Sequence, residues 1–252
     1  MKYEIKIGDC YEQLKQLPDN SIDTIVTSPP YNLKGFKGKR TEPTKNHLWK
    51  GLDIKYDSFD DNLPEEVYQQ QQIDILNEMM RVITEKGSIF YQHKVRLCSG
   101  HHSHPIEWIH KTDLYLRQEI IWDRSNVMNV RPEYFFPSTE RVYWLTKHRS
   151  PTTFKRENEP QHKKDIWKIN PARNNDHPAP FPVELADNCI KMTTPEGGVV
   201  LDPYCGSGST GVAAVLNGHR FIGFDISQNY ADMAAERIES HLKKEPTLED
   251  LL

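Results

Sequence analysis

No apolar run in the 252-residue sequence approaches the roughly 20 residues that span a bilayer, which argues against a membrane-spanning chain. The opening stretch MKYEIKIGDC lacks the apolar core of a secretory signal, so the cytoplasm is the expected location and no membrane partner is expected. The four cysteines, Cys10, Cys98, Cys189 and Cys205, are widely separated and form no C-x-x-C pair. That pattern argues against a zinc site or a disulfide framework and predicts reduced thiols. His101, His102 and His104 have no partner at i+4 and no second cluster, so they read as a solvated loop with no metal site. A strong charge of either sign is missing too. The formal net charge is −4, so attraction of a polyanion needs local patches.

What is present is the composition of a soluble globular chain, with 37% hydrophobic and 27% charged residues. The length predicts a single α/β domain over 1–252 that buries a core without staples. Two basic stretches stand out. One is NLKGFKGKRTEPTKNHLWK, residues 32–50, where Lys34, Lys37, Lys39 and Arg40 meet Glu42 as the sole acid. It opens a polar loop expected over 32–62, and a loop of that length is functional or disordered. The other lies in 147–176, an irregular, charge-rich segment that is the second candidate for contact with a nucleic acid.

Periodicity predicts strands at YEIKIGDC, IDTIVT, SIFYQH, YLRQEIIWDR, ERVYWLTK, GVVLDPYC and RFIGFDIS. Helices are expected at 64–84, PVELADNCIKMT, STGVAAVLNG and 228–244, with shorter ones at YEQLKQLPD and HPIEWIHKTD. Strands separated by helices imply a doubly wound, mostly parallel, seven-stranded sheet of Rossmann-like type. The glycine-rich strand-to-helix turn, which usually opens such a fold, sits near the C-terminus here, so the order is circularly permuted.

That turn, VVLDPYCGSGSTG, contains Gly206-Ser207-Gly208-Ser209-Thr210-Gly211, a G-x-G-x-x-G between a strand and a helix, and Asp225 ends the following strand. A dinucleotide site has the same layout, which leaves an NAD-dependent oxidoreductase as one reading. Asp202 and Pro203 just before the glycines favour S-adenosylmethionine, because a carboxylate repels a pyrophosphate and attracts an ammonium group.

The stretch TSPPYN at 27–32, read with DPYCGSGST, resembles the amino-group DNA methyltransferases. Their catalytic signature is (Asp/Asn/Ser)-Pro-Pro-(Tyr/Phe), and their cofactor loop has the form Asp-Pro-(Phe/Tyr)-x-Gly-x-Gly-(Ser/Thr)-Thr. The order, catalytic motif first and cofactor loop last, resembles the β group of that family. GDCYEQLKQLPDNSIDTIVTSPPYN is similar to that group's opening segment, and HPAPFPVEL at 177–185 resembles the motif before its cofactor strand. The resemblance spans residues 3 to about 240. It implies a methyl transfer from S-adenosylmethionine, without a metal, to an exocyclic amine of double-stranded DNA with a flipped target base. The implied cofactor residues are Asp9 and Cys10, then Asp202, Pro203, Tyr204, Gly206, Ser207, Gly208, Ser209 and Thr210, and finally Asp225 and Ile226. A second copy of the chain and a cognate restriction endonuclease are further implied partners.

The chemistry explains the two prolines. An exocyclic amine is a poor nucleophile because its lone pair is delocalised into the ring. Two acceptors gripping its N–H groups localise that pair, and Ser28 Oγ with the Pro29 carbonyl can be those acceptors. Pro30 supplies no N–H and stiffens the turn. Tyr31 can stack on a flipped base. Within the family a Ser in first place accompanies cytosine N4 as target more often than adenine N6, so cytosine N4 is the expectation and adenine N6 the alternative.

Overall fold

IDTIVT is a continuous β-rich run, and it forms a strand at the centre of the sheet with both faces covered, as an apolar strand of a parallel sheet should. The computed structural model describes residues 2–33, 61–98, 101–125, 135, 137–150, 152–158, 160–172 and 181–243. Its strands are β1 (Tyr3–Ile7), β2 (Ile22–Thr27), β3 (Ile83–His93), β4 (Arg96–Cys98), β5 (His101–Ser103), β6 (Tyr115–Asp123), β7 (Thr139–Thr146), β8 (Ile166–Lys168), β9 (Val199–Asp202) and β10 (Arg220–Asp225). The helices are α1 (Cys10–Lys15), α2 (Glu65–Val82), α3 (Ile106–Ile109), α4 (Val183–Thr193), α5 (Ser209–Leu216) and α6 (Gln228–Leu242).

Eight strands form one sheet in the order β1-β10-β9-β2-β3-β7-β6-β8. Every adjacent pair is parallel except β3–β7 and β6–β7, so β7 alone runs against its neighbours. The seven expected strands all lie in this sheet, and the permuted order puts the last two strands of the sequence inside the first. Helices α1, α2 and α3 cover one face around Leu14, Leu76, Met79 and Trp108, whereas α4, α5 and α6 cover the other around Leu185, Ile190, Val212 and Ile238. Gly211 lets α5 approach: a Cβ there would meet Ile238 Cδ1 at 2.5 Å and Phe221 Cε1 at 2.7 Å.

Two local readings change. The segment 147–176 contains β8, whose Trp167 is buried between exposed Ile166 and Lys168. Three residues among charged neighbours are too few to signal a strand. The same segment is fastened to the scaffold by the Lys155 N–H donating to the Met192 carbonyl at 2.8 Å and by His162 against Glu184 at 2.7 Å. Because β8 is parallel to β6, the segment reaches the carboxyl edge of the sheet only after Lys168. The three histidines also sit on structure: β5 pairs with β4 in a separate hairpin, His101 and His102 are exposed, and the His104 ring packs edge-on against Tyr143. Among the described residues no helix is long and apolar enough to cross a membrane, and no group of three metal-binding side chains converges.

Candidate active site

Strand β9 leads through α5 on one face to β10, and β2 leads through α2 on the other face to β3. The chain therefore diverges between β9 and β2, and such a switch point opens a crevice beyond the carboxyl ends of the strands. A cavity of about 340 Å³ lies there. Its walls are the turns after four strands, residues 8–11 after β1, 28–31 after β2, Pro203, Tyr204 and Gly206 after β9, and Ile226 and Ser227 after Asp225 at the end of β10, closed by α2 and by Tyr230 of α6.

Ser28, Pro29, Pro30 and Tyr31 all line this cavity. The Tyr68 hydroxyl lies 2.8 Å from the Pro30 carbonyl and 2.7 Å from His93 Nε2, so a buried tyrosine braces the turn from behind. No described residue donates to the Pro29 carbonyl. The Tyr31 hydroxyl is 2.6 Å from Gln92 Oε1, 3.2 Å from Glu140 Oε2 and 3.1 Å from Ser28 Oγ, and its ring centroid stands 4.6 Å from that of His93. Burial pushes His93 down to about 3, so the ring is neutral. Its Nδ1 lies 2.7 Å from the Lys94 carbonyl and must carry the proton, leaving Nε2 as an acceptor. Asn32, left-handed at φ 56°, closes the turn. Its amide exchanges two hydrogen bonds with Leu63, 2.8 and 2.7 Å, and the Asp61 carboxylate takes the N–H groups of Asn32 and Leu33. The loop that begins with the basic stretch is thus pinned at its base. Lys34, Lys37, Lys39 and Arg40 themselves lie outside the described residues.

The candidate cofactor residues separate into wall and frame. Asp9, Cys10, Pro203, Tyr204, Gly206, Asp225 and Ile226 are on the cavity wall, while Asp202, Ser207, Gly208, Ser209 and Thr210 are behind it. Asp202 is fully buried, and its carboxylate accepts from Thr27 Oγ1 at 2.7 Å, Thr210 Oγ1 at 2.7 Å and the Tyr204 N–H at 3.1 Å. Its carboxylate is engaged with the frame, in contrast to the expectation that it faces a bound ammonium. Desolvation raises it to about 6 despite those donors. Ser207 and Ser209 are turned toward α6, where Arg237 Nη1 reaches both hydroxyls at 3.2 Å and the Ser207 carbonyl at 3.0 Å. Gly208 adopts φ +76°, and a Cβ there would meet Ala234 at 2.9 Å, so the loop presses on α6 and gives the cavity side to Gly206. Asp225 accepts from the Gly206 N–H at 2.8 Å and the Ser227 N–H at 2.9 Å, and burial raises its pKa. Asp9 caps α1 through the N–H groups of Tyr11 and Glu12. Sequence reasoning missed the α2 residues Gln71, Gln72, Asp74 and Ile75, because nothing local says that this helix folds across the cavity.

The donor set tells which ligand the cavity suits. Among the described residues its wall carries the carboxylates of Asp9, Asp74 and Asp225 and no lysine or arginine. A pyrophosphate would be repelled there, whereas a sulfonium and an ammonium group would be stabilised. The profile of the DNA methylase family N6_N4_Mtase matches residues 22–236, covering both motifs and the turns between them.

The chain belongs to this DNA methylase family. The family places it among S-adenosylmethionine-dependent amino-group DNA methyltransferases and sets aside the oxidoreductase reading. Among curated relatives it is 27% identical to the Type II methyltransferase M.HinfI of Haemophilus influenzae, over 97% of this chain and 70% of that one. It is 26% identical to M.BglII of Bacillus subtilis, over 90% of this chain and 66% of that protein, and 25% identical to M2.DpnII of Streptococcus pneumoniae, over 92% and 88%. Among solved structures, the cytosine-N4-specific PvuII DNA methyltransferase superposes with a TM-score of 0.74 at 19% identity, over 97% of this chain and 92% of that one. The complex of M1.HpyAVI with S-adenosylmethionine superposes with a TM-score of 0.62 at 19% identity, over 94% and 99%. The likenesses to solved structures show that the DNA methylase has a methyltransferase fold.

Proposed function

We propose that this DNA methylase transfers the methyl group to the N4 amine of a cytosine swung out of double-stranded DNA. The observation that carries the reading is the cavity itself: Ser28 Oγ, a neutral acceptor, and the Pro29 carbonyl, to which no described residue donates, share it with the carboxylate-lined pocket of the glycine loop. S-adenosylmethionine, when bound, supplies an electrophilic methyl group on a sulfonium. Asp225 and Asp9, at the ends of β10 and β1, are the residues that would hold its ribose and adenine, with Ile226 and Tyr204 as apolar wall. Ser28 and Pro29 accept the two amine hydrogens, drawing the nitrogen toward tetrahedral geometry, and these bonds strengthen as the nitrogen becomes positive. Tyr31 offers the base one face of its ring while His93 lies against the ring. Lys34, Lys37, Lys39 and Arg40 neutralise phosphates around the flipped base. The Type II relatives support a cognate restriction endonuclease as partner.

The experiment is methylation of plasmid DNA by the purified protein, followed by nucleoside mass spectrometry. N4-methylcytosine is the expected product. N6-methyladenine would replace the target base, and absence of any methylated amine would overturn the reading.

A further inference from the structure

Ser28 has a hydroxyl that can donate or accept, and only one of those suits an amine. The direction of its hydrogen bond is set by groups outside the cavity wall. Glu140, at the start of β7, is held against Arg124 at the end of β6, and it is a carboxylate with no hydrogen to give. Gln92, buried at the carboxyl end of β3, turns its Nε2 to Glu140, because the opposite amide orientation would set two oxygens face to face. Gln92 Oε1 is therefore the end that meets Tyr31, 2.6 Å away, and it can only accept. The single hydrogen of Tyr31 is committed to Gln92 and, more distantly, to Glu140 at 3.2 Å. Across the 3.1 Å contact between Ser28 and Tyr31, Ser28 must then donate.

We infer that Glu140 and Gln92 are positioning residues that fix Ser28 as an acceptor toward the cavity and so select an amine-bearing base over its keto counterpart. The chain of donors runs from Ser28 through Tyr31 and Gln92 to the Glu140 carboxylate, and it presents Ser28 lone pairs to the target. No bond is made or broken in it. This inference rests on the proposed acceptor role of Ser28 and reaches residues that neither motif contains.

Glu140→Gln keeps the shape and inverts the logic. A donor at position 140 lets the Gln92 amide turn over, Tyr31 then accepts from it and donates to Ser28, and Ser28 meets the base with its lone pairs withdrawn. Single-turnover methyl transfer, on the target mapped by product analysis of the parent, should fall about 10-fold or more. S-adenosylhomocysteine affinity should stay at the parent value. A readout that needs no turnover is the affinity ratio between DNA carrying the target base and DNA carrying its keto counterpart at that position. This ratio should shrink in Glu140→Gln and return in Glu140→Asp. Tyr31→Phe cuts the chain, so it should slow transfer as well, and the double variant Tyr31→Phe/Glu140→Gln should be no slower than the worse single one. Losses that multiply, or a folded Glu140→Gln with the parent's rate and ratio, overturn the inference. If Glu140→Gln does not fold, Tyr31→Phe decides: the parent's rate refutes the chain, and a slower rate with the amine preference reduced supports it. A parent that methylates no amine would instead overturn the proposed function, so the two failures are distinguishable.

Discussion

Thr27 donates its hydroxyl hydrogen to Asp202 Oδ1 at 2.7 Å, joining the residue before the Ser28–Tyr31 turn to the residue before the glycine loop. Thr210 reaches the other oxygen of the same carboxylate at 2.7 Å and also the Val26 carbonyl at 3.1 Å. Two turns 175 positions apart in sequence are thereby held in register by one buried acid. A fully buried carboxylate that loses one donor keeps its desolvation cost, which is about 1 to 3 kcal/mol for the missing bond. Thr27→Val, which keeps the shape, should lower stability in urea denaturation by that amount and slow methyl transfer. A variant as stable as the parent would show that the bridge carries no load.

Asp225 organises the loop, since it holds the Gly206 and Ser227 N–H groups, and it is the residue proposed to hold the ribose. Asp225→Ala should weaken S-adenosylhomocysteine binding by about 1 to 3 kcal/mol in calorimetry. Asp225→Asn, which retains one acceptor oxygen, should fall between the two. Parent affinity in Asp225→Ala would remove it from the cofactor site.

Ser28→Ala should depress single-turnover transfer about 10²- to 10³-fold, the usual loss for a preorganised hydrogen-bonding group, with cofactor affinity nearly intact. Ser28→Asp, an acceptor under any orientation of Tyr31, should keep measurable activity. Transfer by Ser28→Ala at the parent rate would leave Pro29 to position the amine alone.

His93 makes the fold sensitive to acid. Its ring stays neutral in the folded protein down to about 3, whereas in the unfolded chain it takes up a proton near its ordinary value of 6.5. A depressed folded value means that the contribution is complete above that pH and is lost as the pH falls toward the folded one. Between pH 7 and pH 5 the loss is about 2 kcal/mol from this residue. His93→Gln, which can still accept from Tyr68, should show a smaller fall than the parent between those pH values, measured by urea denaturation at each. Equal falls would assign the acid sensitivity to other groups.

Local signals made much of the DNA methylase legible. IDTIVT, VVLD and RFIGFD announce buried strands because both faces of a central parallel strand need apolar side chains. SPPY and CGSGST announce turns because proline and glycine limit or extend what the backbone can do within a few residues. The late position of the glycine loop already implied the permuted order. The short β8 was not legible, because its pairing with β6 outweighs a local pattern only three residues long.

The sequence by itself therefore determined which turns line the cavity, since proline, glycine and a strand-ending acid act over a few neighbouring bonds. Only the tertiary structure decided that Asp202 braces the frame from behind the cavity wall, that α2 closes the cavity, and that Gln92 and Glu140 converge on Tyr31. The physical reason is separation along the chain. The Tyr31 to Glu140 contact joins positions 109 residues apart, and such a contact is set by the order in which strands pair. Strand order follows from burying two apolar faces at once, a condition on the whole sheet that no local stretch of residues expresses.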